Sequence, residues 1–141
     1  MPEGMIDLVE LSHSWLNAEP VDCLYGACHL TAKHHGPELF NLTDAELFGV
    51  MKELALCAHA IKTVTGAVKI NYEIHGNTSP HLHIHIYPRY MNDPFPNQAI
   101  NPNIKKQLYS KEEYEAFQEN VRREIERLQR ERTTGKDAGM G

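Results

Sequence analysis

The sequence predicts a domain that combines helices with antiparallel pairs of strands, and three observations support this mixed class. A capping-box sequence at residues 43–46 precedes apolar residues at helical spacing. A second capping box, at residues 110–113, precedes another apolar stripe with the same spacing. Residues 67–74 and 81–87 have strand-like alternation, and a short polar loop separates them as in a β-hairpin.

The composition excludes some broad classes of protein and sets the domain count. The net charge is -5, from 14 basic and 19 acidic residues, so no broad basic face is expected and no nucleic-acid partner is predicted. No stretch approaches the roughly 18 continuous apolar residues that a membrane span needs, and the N-terminus lacks the features of a signal peptide. We expect one domain over residues 1–132 and a disordered tail over residues 133–141.

The N-terminal part predicts two strands joined as a hairpin. Residues 7–17 alternate well enough for the first strand, although a short helix at the extreme N-terminus is a competing prediction. The strand is expected to end at residues 18–20, because Pro20 cannot donate a backbone hydrogen bond. Residues 22–32 form the second predicted strand. The three cysteines, Cys23, Cys28 and Cys57, include no CxxC motif, so we expect reduced core thiols in a cytoplasmic protein.

The middle of the chain predicts a connection, a helix and a strand. Residues 33–42 contain Gly36 and Pro37 and form the connection. The helix begins after Thr43, continues to about residue 64 and ends at Gly66. Its apolar stripe is Leu47, Met51, Leu54, Ala58 and Ile61. The following strand, at residues 67–74, is expected to place Val68, Ile70, Tyr72 and Ile74 on one face.

The C-terminal part predicts a rigid loop followed by a helix. Residues 88–103 are rich in proline and asparagine, and two interpretations remain open: a surface connection, or a flap or dimer contact beside the preceding strand. The helix follows the capping box at residues 110–113. One face of this helix is traced by Tyr114, Phe117, Val121, Ile125 and Leu128.

Three of the nine histidines alternate within one predicted strand. In residues 81–86, His81, His83 and His85 occupy every second position, and apolar residues fill the positions between them. Side chains alternate across a strand, so the three imidazoles line one face while Leu82, Ile84 and Ile86 point into the core. At roughly 3.3 Å per residue, the outer two imidazoles lie about 13 Å apart. A solvated strand face has no need of three imidazoles, so this pattern indicates chemistry.

Two kinds of chemistry fit this pattern. Two histidines at i and i+2 could share a Zn²⁺ ion, but a further ligand would have to come from His75, His35 or Glu73, and nothing singles these out. Alternatively, one neutral imidazole attacks a phosphoryl centre, and the flanking imidazoles donate hydrogen bonds to the phosphate oxygens. The loop at residues 76–79 lies just before the strand and can add donors to the same anion.

The residues PHLHIHIYPRY, at 80–90, resemble the signature of the histidine triad (HIT) superfamily, which is His-φ-His-φ-His-φ-φ with φ apolar. KINYEIHGN before the triad, the preceding helix and AKHHGPELFNLTDAE occur in the family's order, so the resemblance covers residues 5–98. It implies an α+β, HIT-like fold with a mostly antiparallel sheet, one central helix and a C-terminal helix, usually as a homodimer. It also implies a nucleotide hydrolase or transferase that works at the α-phosphate through a nucleotidyl-histidine intermediate, without a metal.

The resemblance assigns roles by position. His83 corresponds to the nucleophile, and His81 and His85 correspond to residues that contact the phosphate and assist the leaving group. Asn77, or Thr78 beside it, matches the polar position that contacts the phosphate or the leaving group.

Other positions around the triad match the family less closely. Asn17 matches the position that holds the ribose hydroxyls. Many members have a fourth histidine on the second strand, and the stretch that matches it, residues 25–27, has none; His29 is the candidate replacement. His34 and His35 are expected to be structural or on the surface.

The three remaining histidines receive no catalytic role. His75 is a candidate supporting residue of the site, because it lies in the connection between the two predicted strands of the triad hairpin. His13 and His59 belong to no motif and are expected to be incidental.

The leading hypothesis is a metal-independent hydrolase of nucleoside phosphoramidates, dinucleoside polyphosphates or nucleotide adducts that needs no cofactor. One alternative is a nucleotide-binding or adaptor protein with little turnover. Another is a nucleotidyltransferase, although its relatives typically carry a glutamine where this chain has His85. Because a nucleophilic imidazole must be neutral, we expect activity to fall below about pH 6.

Overall fold

The computed structural model describes residues 6–75, 80–96, 98–101 and 103–134. A five-stranded antiparallel sheet has the order β1-β2-β4-β6-β5, and a separate two-stranded ribbon pairs β3 with β7. The elements in chain order are β1 (Ile6–Glu10), β2 (Ser14–Ala18), β3 (Val21–Asp22), β4 (Cys28–His35), α1 (Asp44–Thr65), β5 (Lys69–Ile74), β6 (His81–Arg89), β7 (Lys106–Gln107) and α2 (Lys111–Thr134). The predicted α+β class, with a central and a C-terminal helix, is confirmed.

The prediction of one strand over residues 7–17 is wrong, because this segment folds back on itself. β1 and β2 pair with each other, and the Leu11 amide donates to the Ser14 carbonyl oxygen across the turn. The Glu53 carboxylate of α1 holds this turn from outside. It accepts hydrogen bonds from the His13 amide and, at 2.6 Å, from the Ser14 hydroxyl. The alternative helix at the extreme N-terminus concerns residues 1–5, which lie outside the described residues.

The predicted strand at residues 22–32 is also divided. Only Val21 and Asp22 form β3, and the next regular strand, β4, begins at Cys28 and continues to His35. The predicted antiparallel pairing is confirmed, because β4 pairs with β2 and His29 lies opposite Asn17. β3 pairs instead with β7, which was not predicted, since two residues are too few to show alternation.

The helix α1 begins and ends where its sequence signals predict. The Thr43 hydroxyl accepts the Glu46 amide, and the Glu46 carboxylate accepts the Thr43 amide, which completes the capping box. Gly66 ends the helix in the left-handed conformation, with φ of 73°, and its amide donates to Lys62. Both helices contribute to the core that covers one face of the sheet.

The two faces of the sheet have different surroundings. Leu82, Ile84 and Ile86 of β6 point to the helix side and are almost fully buried, as the alternation predicts. Leu30 of β4 lies directly opposite Ile84 and belongs to the same core. The opposite face of β6 therefore carries the three histidines of the triad. Packing on one side thus determines which side is left for chemistry.

The predicted apolar face of β5 is only partly buried. Ile70 lies in the core, but Val68, Tyr72 and Ile74 are 53%, 50% and 45% exposed. β5 is an edge strand of the sheet, so part of this face extends beyond the cover that the helices provide. This departure from the prediction leaves an apolar strip along an open strand edge.

The proline-rich loop after β6 is anchored by a buried ion pair. Arg89 donates to both carboxylate oxygens of Asp93, at 2.7 and 3.1 Å, and also to the Asn71 side chain and the Gln98 carbonyl. Phe95, in the same loop, packs in a second apolar cluster with Cys23, Leu24, Ala27, Tyr87 and Ile100. The described part of this loop is therefore packed against the segment between β3 and β4 and against Tyr87 of β6.

The C-terminal helix matches its predicted apolar face. Tyr114, Phe117, Val121, Ile125 and Leu128 are all buried. The helix extends through Thr134, and residues 135–141 of the predicted tail lie outside the described residues. The three cysteines are free and buried. In the described part of the chain, none of the helices is long and apolar enough to cross a membrane.

Candidate active site

The three histidines of β6 lie on the sheet face away from the helices, in register with residues of both neighbouring strands. On β4, His35 lies opposite His81, and Thr31 lies opposite His83. Because the register fixes the neighbours of each imidazole, the site is built across strands that are distant in sequence.

The backbone fixes the orientation of His81 at the start of β6. Its Nδ1 lies 3.0 Å from the Ala32 carbonyl oxygen, so Nδ1 carries the hydrogen and donates. The ring centroid of His35 lies 4.9 Å from that of His81, and Trp15 presents an edge at 6.4 Å. His35, expected to be structural or on the surface, therefore lies beside the first histidine of the triad.

His83 lies in the middle of the triad and is half-buried. Burial, followed by the charge of His81, lowers the pKa of the His83 imidazole from its ordinary value of 6.5. At neutral pH this ring is therefore uncharged, and one of its nitrogens keeps a lone pair. An uncharged imidazole is the form that attacks an electrophile.

His85 and His29 face each other across β6 and β4. Their ring centroids are 5.1 Å apart in an edge-to-face arrangement. Burial lowers the pKa of each imidazole to about 4. At His85 the charges of His29, His75 and His83 lower it further. At His29 the charges of His83 and Lys105 do the same. The structure therefore brings His29 to the triad, although the stretch that matches the family's fourth histidine carries none.

Buried polar atoms without partners are concentrated at this end of the site. Among the described residues, the Nδ1 atoms of His29 and His85 and the Oδ1 atom of Asn17 are buried and make no hydrogen bond. The Asn17 amide group lies 3.4 Å from the Thr31 hydroxyl, and both residues have no exposed surface. Such atoms cost stability unless a ligand satisfies them. Asn17, expected at the ribose, therefore lies on the triad face beside His29.

Some predicted site residues are not placed with the triad. Asn77 and Thr78 lie outside the described residues. His75 forms an exposed contact of 3.0 Å with Glu73 and presents an edge to His85, with their ring centroids 5.7 Å apart. Glu73, on β5, lies opposite His85 in the strand register. The part of the chain that the structure describes contains no group of three or more His, Cys, Asp or Glu side chains arranged to hold a metal ion.

Sequence reasoning missed Thr31, which lies opposite the central histidine. The signal was present in the chain, because Thr31 is two residues after His29 and alternation therefore places both on one face. Its proximity to His83 depends on the pairing of β4 with β6, which alternation alone does not give. Tyr87, stacked on His85 at 5.6 Å, was also missed, although alternation along β6 places both rings on one face.

His13 and His34 form a separate cluster on the helix side of the sheet. The His13 Nδ1 atom lies 3.0 Å from the His34 Nε2 atom, and the His34 Nδ1 atom lies 2.9 Å from the Glu46 carboxylate. The His13 ring also packs so closely on Gly49 that a Cβ there would lie 2.4 Å from it. A cavity of about 580 Å³ beside this cluster is formed by the β1–β2 turn and both helices, away from the triad. His13 therefore has a structural role, although it was expected to be incidental.

A comparison with known families decides the identity of the domain. The family model of the HIT domain matches residues 22–92, which is half of the chain and includes the whole triad. The chain belongs to the histidine triad (HIT) family.

Solved structures of other HIT proteins have the same fold. A histidine triad protein from Bradyrhizobium japonicum is 25% identical with a TM-score of 0.79, and the match covers 87% of this chain and 92% of that one. A HIT protein from Sinorhizobium meliloti is also 25% identical, with a TM-score of 0.77 and coverage of 85% and 89%. A diadenosine triphosphate hydrolase from Plasmodium falciparum is 17% identical, with a TM-score of 0.61 and coverage of 88% and 76%, and shows the fold alone. The curated proteins include none that matches this HIT chain.

Proposed function

We propose that this HIT protein is a metal-independent nucleotide hydrolase that acts at an α-phosphate through a nucleotidyl-histidine intermediate on His83. The observation that carries the proposal is the uncharged, half-buried His83 between two further imidazoles on one strand face. A nucleotide carries a phosphorus electrophile and several acceptor oxygens, which match one nucleophile and several N–H donors. Phosphoramidates, dinucleoside polyphosphates and nucleotide adducts all contain this centre.

The proposed reaction has two balanced steps. In the first step the lone pair of a His83 nitrogen attacks the α-phosphorus, and the bond from phosphorus to the leaving group breaks. The electron pair leaves with that group, which takes up a proton from a neighbouring donor. In the second step water attacks the same phosphorus, one proton of that water returns to the group that protonated the leaving group, and the N–P bond breaks. The products are a nucleoside monophosphate and the free His83 imidazole.

The surrounding residues fit supporting roles in these steps. We assign phosphate contacts and assistance to the leaving group to His81 and His85, and we assign the remaining phosphate contacts to Asn77 or Thr78. Asn17 is assigned to the ribose, because its buried Oδ1 atom has no partner among the described residues and a sugar hydroxyl is a suitable donor. These residues position the nucleotide, while His83 forms the bond.

The direct test is a search for turnover and for the covalent intermediate. The protein is incubated with adenosine and guanosine phosphoramidates and dinucleoside triphosphates, with and without a chelator, and intact mass is measured after acid-free quenching. We expect nucleoside monophosphate release that the chelator does not change, together with one nucleotidyl adduct per chain. Nucleotide binding with neither turnover nor adduct would instead indicate a binding protein. Transfer of the nucleotidyl group to an added phosphate in preference to water would indicate a transferase.

The pH dependence of kcat/KM provides a further test. Because burial and His81 lower the pKa of His83, this imidazole stays neutral at more acidic pH than a free imidazole does. We therefore expect kcat/KM to stay constant between pH 8 and the acid limb of the profile. The midpoint of that limb is expected below 6.5, the ordinary pKa of histidine. An acid limb centred at or above that value would contradict attack by a buried neutral His83.

We also propose that the protein forms a homodimer through β5. Tyr72 and Ile74 are about half exposed on an edge strand whose outer backbone groups pair with no other strand among the described residues. A second copy related by a two-fold axis covers the same strip on both chains. The three buried free thiols support a reducing compartment, and we propose the cytoplasm.

The dimer is tested by light scattering after size-exclusion chromatography. Wild-type protein is expected to have twice the 16.1 kDa mass of the chain, while Ile74→Glu is expected to shift toward the mass of one chain. Lys69→Glu is the matched control, since it places a carboxylate on the same strand but on the opposite face. A single-chain mass for the wild type would contradict the proposal, and so would equal effects of the two variants.

A further inference from the structure

The cavity beside His13, on the helix side of the sheet, is formed by three elements that are distant in sequence. The β1–β2 turn contributes His13, α1 contributes Phe48 and Lys52, and α2 contributes Arg132. The volume of this cavity is about 580 Å³. Small-molecule sites usually have volumes of about 300–1,000 Å³, so the cavity is large enough for a ligand.

Hydrogen bonds and close packing hold the wall of this cavity. The Glu53 carboxylate accepts the His13 amide and, at 2.6 Å, the Ser14 hydroxyl, which ties the turn to α1. The His13 ring lies 3.0 Å from His34, between their Nδ1 and Nε2 atoms, and packs directly on Gly49. A wall that is already held in this way needs little further ordering when a ligand binds.

The lining of the cavity has an excess of positive charge. Lys52 and Arg132 are exposed, and neither forms an ion pair with another described residue. By contrast, Arg123 and Arg127 of α2 both pair with glutamates of their own helix. Glu53 is the one carboxylate among the described lining residues, and it already accepts hydrogen bonds from the turn. In a chain whose net charge is -5, this lining is a local site that attracts an anion.

The same cavity presents apolar surface beside these charges. The Phe48 ring is 67% exposed, and the Lys52 ammonium lies 5.4 Å from its centroid. Ala45 and Leu56 add aliphatic surface to the lining. Aromatic surface next to a cation suits a ligand in which a flat apolar group and a negative charge lie close together.

We propose that this cavity is a second binding site, apart from the triad, for a small organic anion in which a carboxylate is attached to an aromatic group. The ligand's ring packs on Phe48, and its carboxylate binds to Lys52 and Arg132. Two cations and one carboxylate in the lining leave one excess positive charge, which matches a monoanion better than a phosphate dianion. The site is independent of the proposed function, because it shares no lining residue with the triad.

The experiment titrates the isotope-labelled full chain with phenylacetate and follows the backbone amide signals by NMR. Phenylacetamide, which lacks the charge, and acetate, which lacks the ring, are the matched probes. We expect phenylacetate to bind with a Kd of about 1 mM and to shift the amide signals of Ser12, Ala45 and Gly49. Each of the other probes is expected to bind at least about 5-fold more weakly.

Variants of the lining identify the contacts. Lys52→Gln and Arg132→Gln are each expected to weaken phenylacetate about 3-fold, as for the loss of an exposed ion pair, and to leave phenylacetamide unchanged. Phe48→Ser is expected to weaken both aromatic probes. The matched controls are Lys62→Gln and Arg130→Gln, which remove exposed cations of α1 and α2 that lie outside the cavity, and they should leave binding unchanged.

The proposal is overturned if phenylacetate does not bind, if phenylacetamide binds equally well, or if the cavity and control variants have equal effects. Loss of binding in His83→Ala would locate the anion at the triad instead. Cavity amide signals that shift with protein concentration, and not with phenylacetate, would indicate that a second copy of the chain covers this surface. The proposed hydrolase activity is judged separately, by turnover and nucleotidyl adduct formation, so either proposal can fail alone.

Discussion

His83→Ala is expected to reduce nucleotide turnover by about 1,000-fold or more, because it removes the atom that forms the covalent bond. The alanine cannot accept the nucleotidyl group, so the adduct should also be absent from the intact-mass spectrum. His83 is half-buried on the open face of β6 rather than in the core, so the variant is expected to fold. The measurement is single-turnover release of nucleoside monophosphate, with circular dichroism as the check on folding.

The matched control is His59→Ala, which removes an exposed imidazole from α1 on the helix side of the sheet. Turnover by this control should remain within about 2-fold of wild type, as is usual for an exposed position away from the site. His85→Ala provides the second comparison. It should slow turnover while still allowing an adduct on His83, because His85 is assigned to the leaving group. Unchanged turnover in His83→Ala would contradict the assignment of the nucleophile.

Arg89→Met is expected to lower the free energy of unfolding by about 3–5 kcal/mol, because it leaves a buried carboxylate without its partner. The side chains of Arg89 and Asp93 are only 12% and 4% exposed. Arg89 also donates to Asn71 and to the carbonyl oxygens of Phe95 and Gln98, so several loop contacts are lost together. Urea denaturation at pH 7 measures the change.

The control for this variant is Arg123→Met on α2. Arg123 pairs with Glu119, but the two side chains are 73% and 50% exposed, so the expected change is at most about 1 kcal/mol. The double variant Arg89→Met with Asp93→Asn should recover part of the loss, because the unpaired charge is then absent. Equal stabilities of Arg89→Met and Arg123→Met would show that the buried pair does not anchor the loop.

The difference in stability between wild type and Arg89→Met is expected to change with pH in a definite direction. Burial raises the pKa of Asp93, but the Arg89 guanidinium and the amides of Phe95 and Tyr90 outweigh it, and the net pKa lies below the ordinary value of 3.8. A carboxyl group whose pKa is lowered by folding stabilises the fold fully at pH values above its pKa in the unfolded chain. This contribution is lost as the pH falls through its pKa in the folded protein. The stability gap between wild type and Arg89→Met should therefore narrow as the solution is acidified below about pH 4.

The agreement between sequence and structure is best where a local signal is complete. Thr43 and Glu46 specify the start of α1, and Gly66 specifies its end, because these signals act within a few residues of one another. The strands near the N-terminus were predicted less well. The division of residues 7–17 depends on Glu53, about forty residues away, which accepts hydrogen bonds from the turn. No local pattern contains that contact.

The sequence by itself determined which side chains of β6 share a face. Alternation requires that His81, His83 and His85 share one face once the apolar residues between them are buried, whatever the strand pairs with. The resemblance to the HIT family rests on those residues, and the family model confirms it.

The tertiary structure decided which other residues join them. Strand register brings His29 and Asn17 to the triad, and β3 and β7 pair in a ribbon that was not predicted. Register depends on hydrogen bonds between distant segments, and two-residue strands have no periodicity to reveal them. The sequence therefore distinguishes the three histidines of the triad, and the sheet places His29 and His35 beside them.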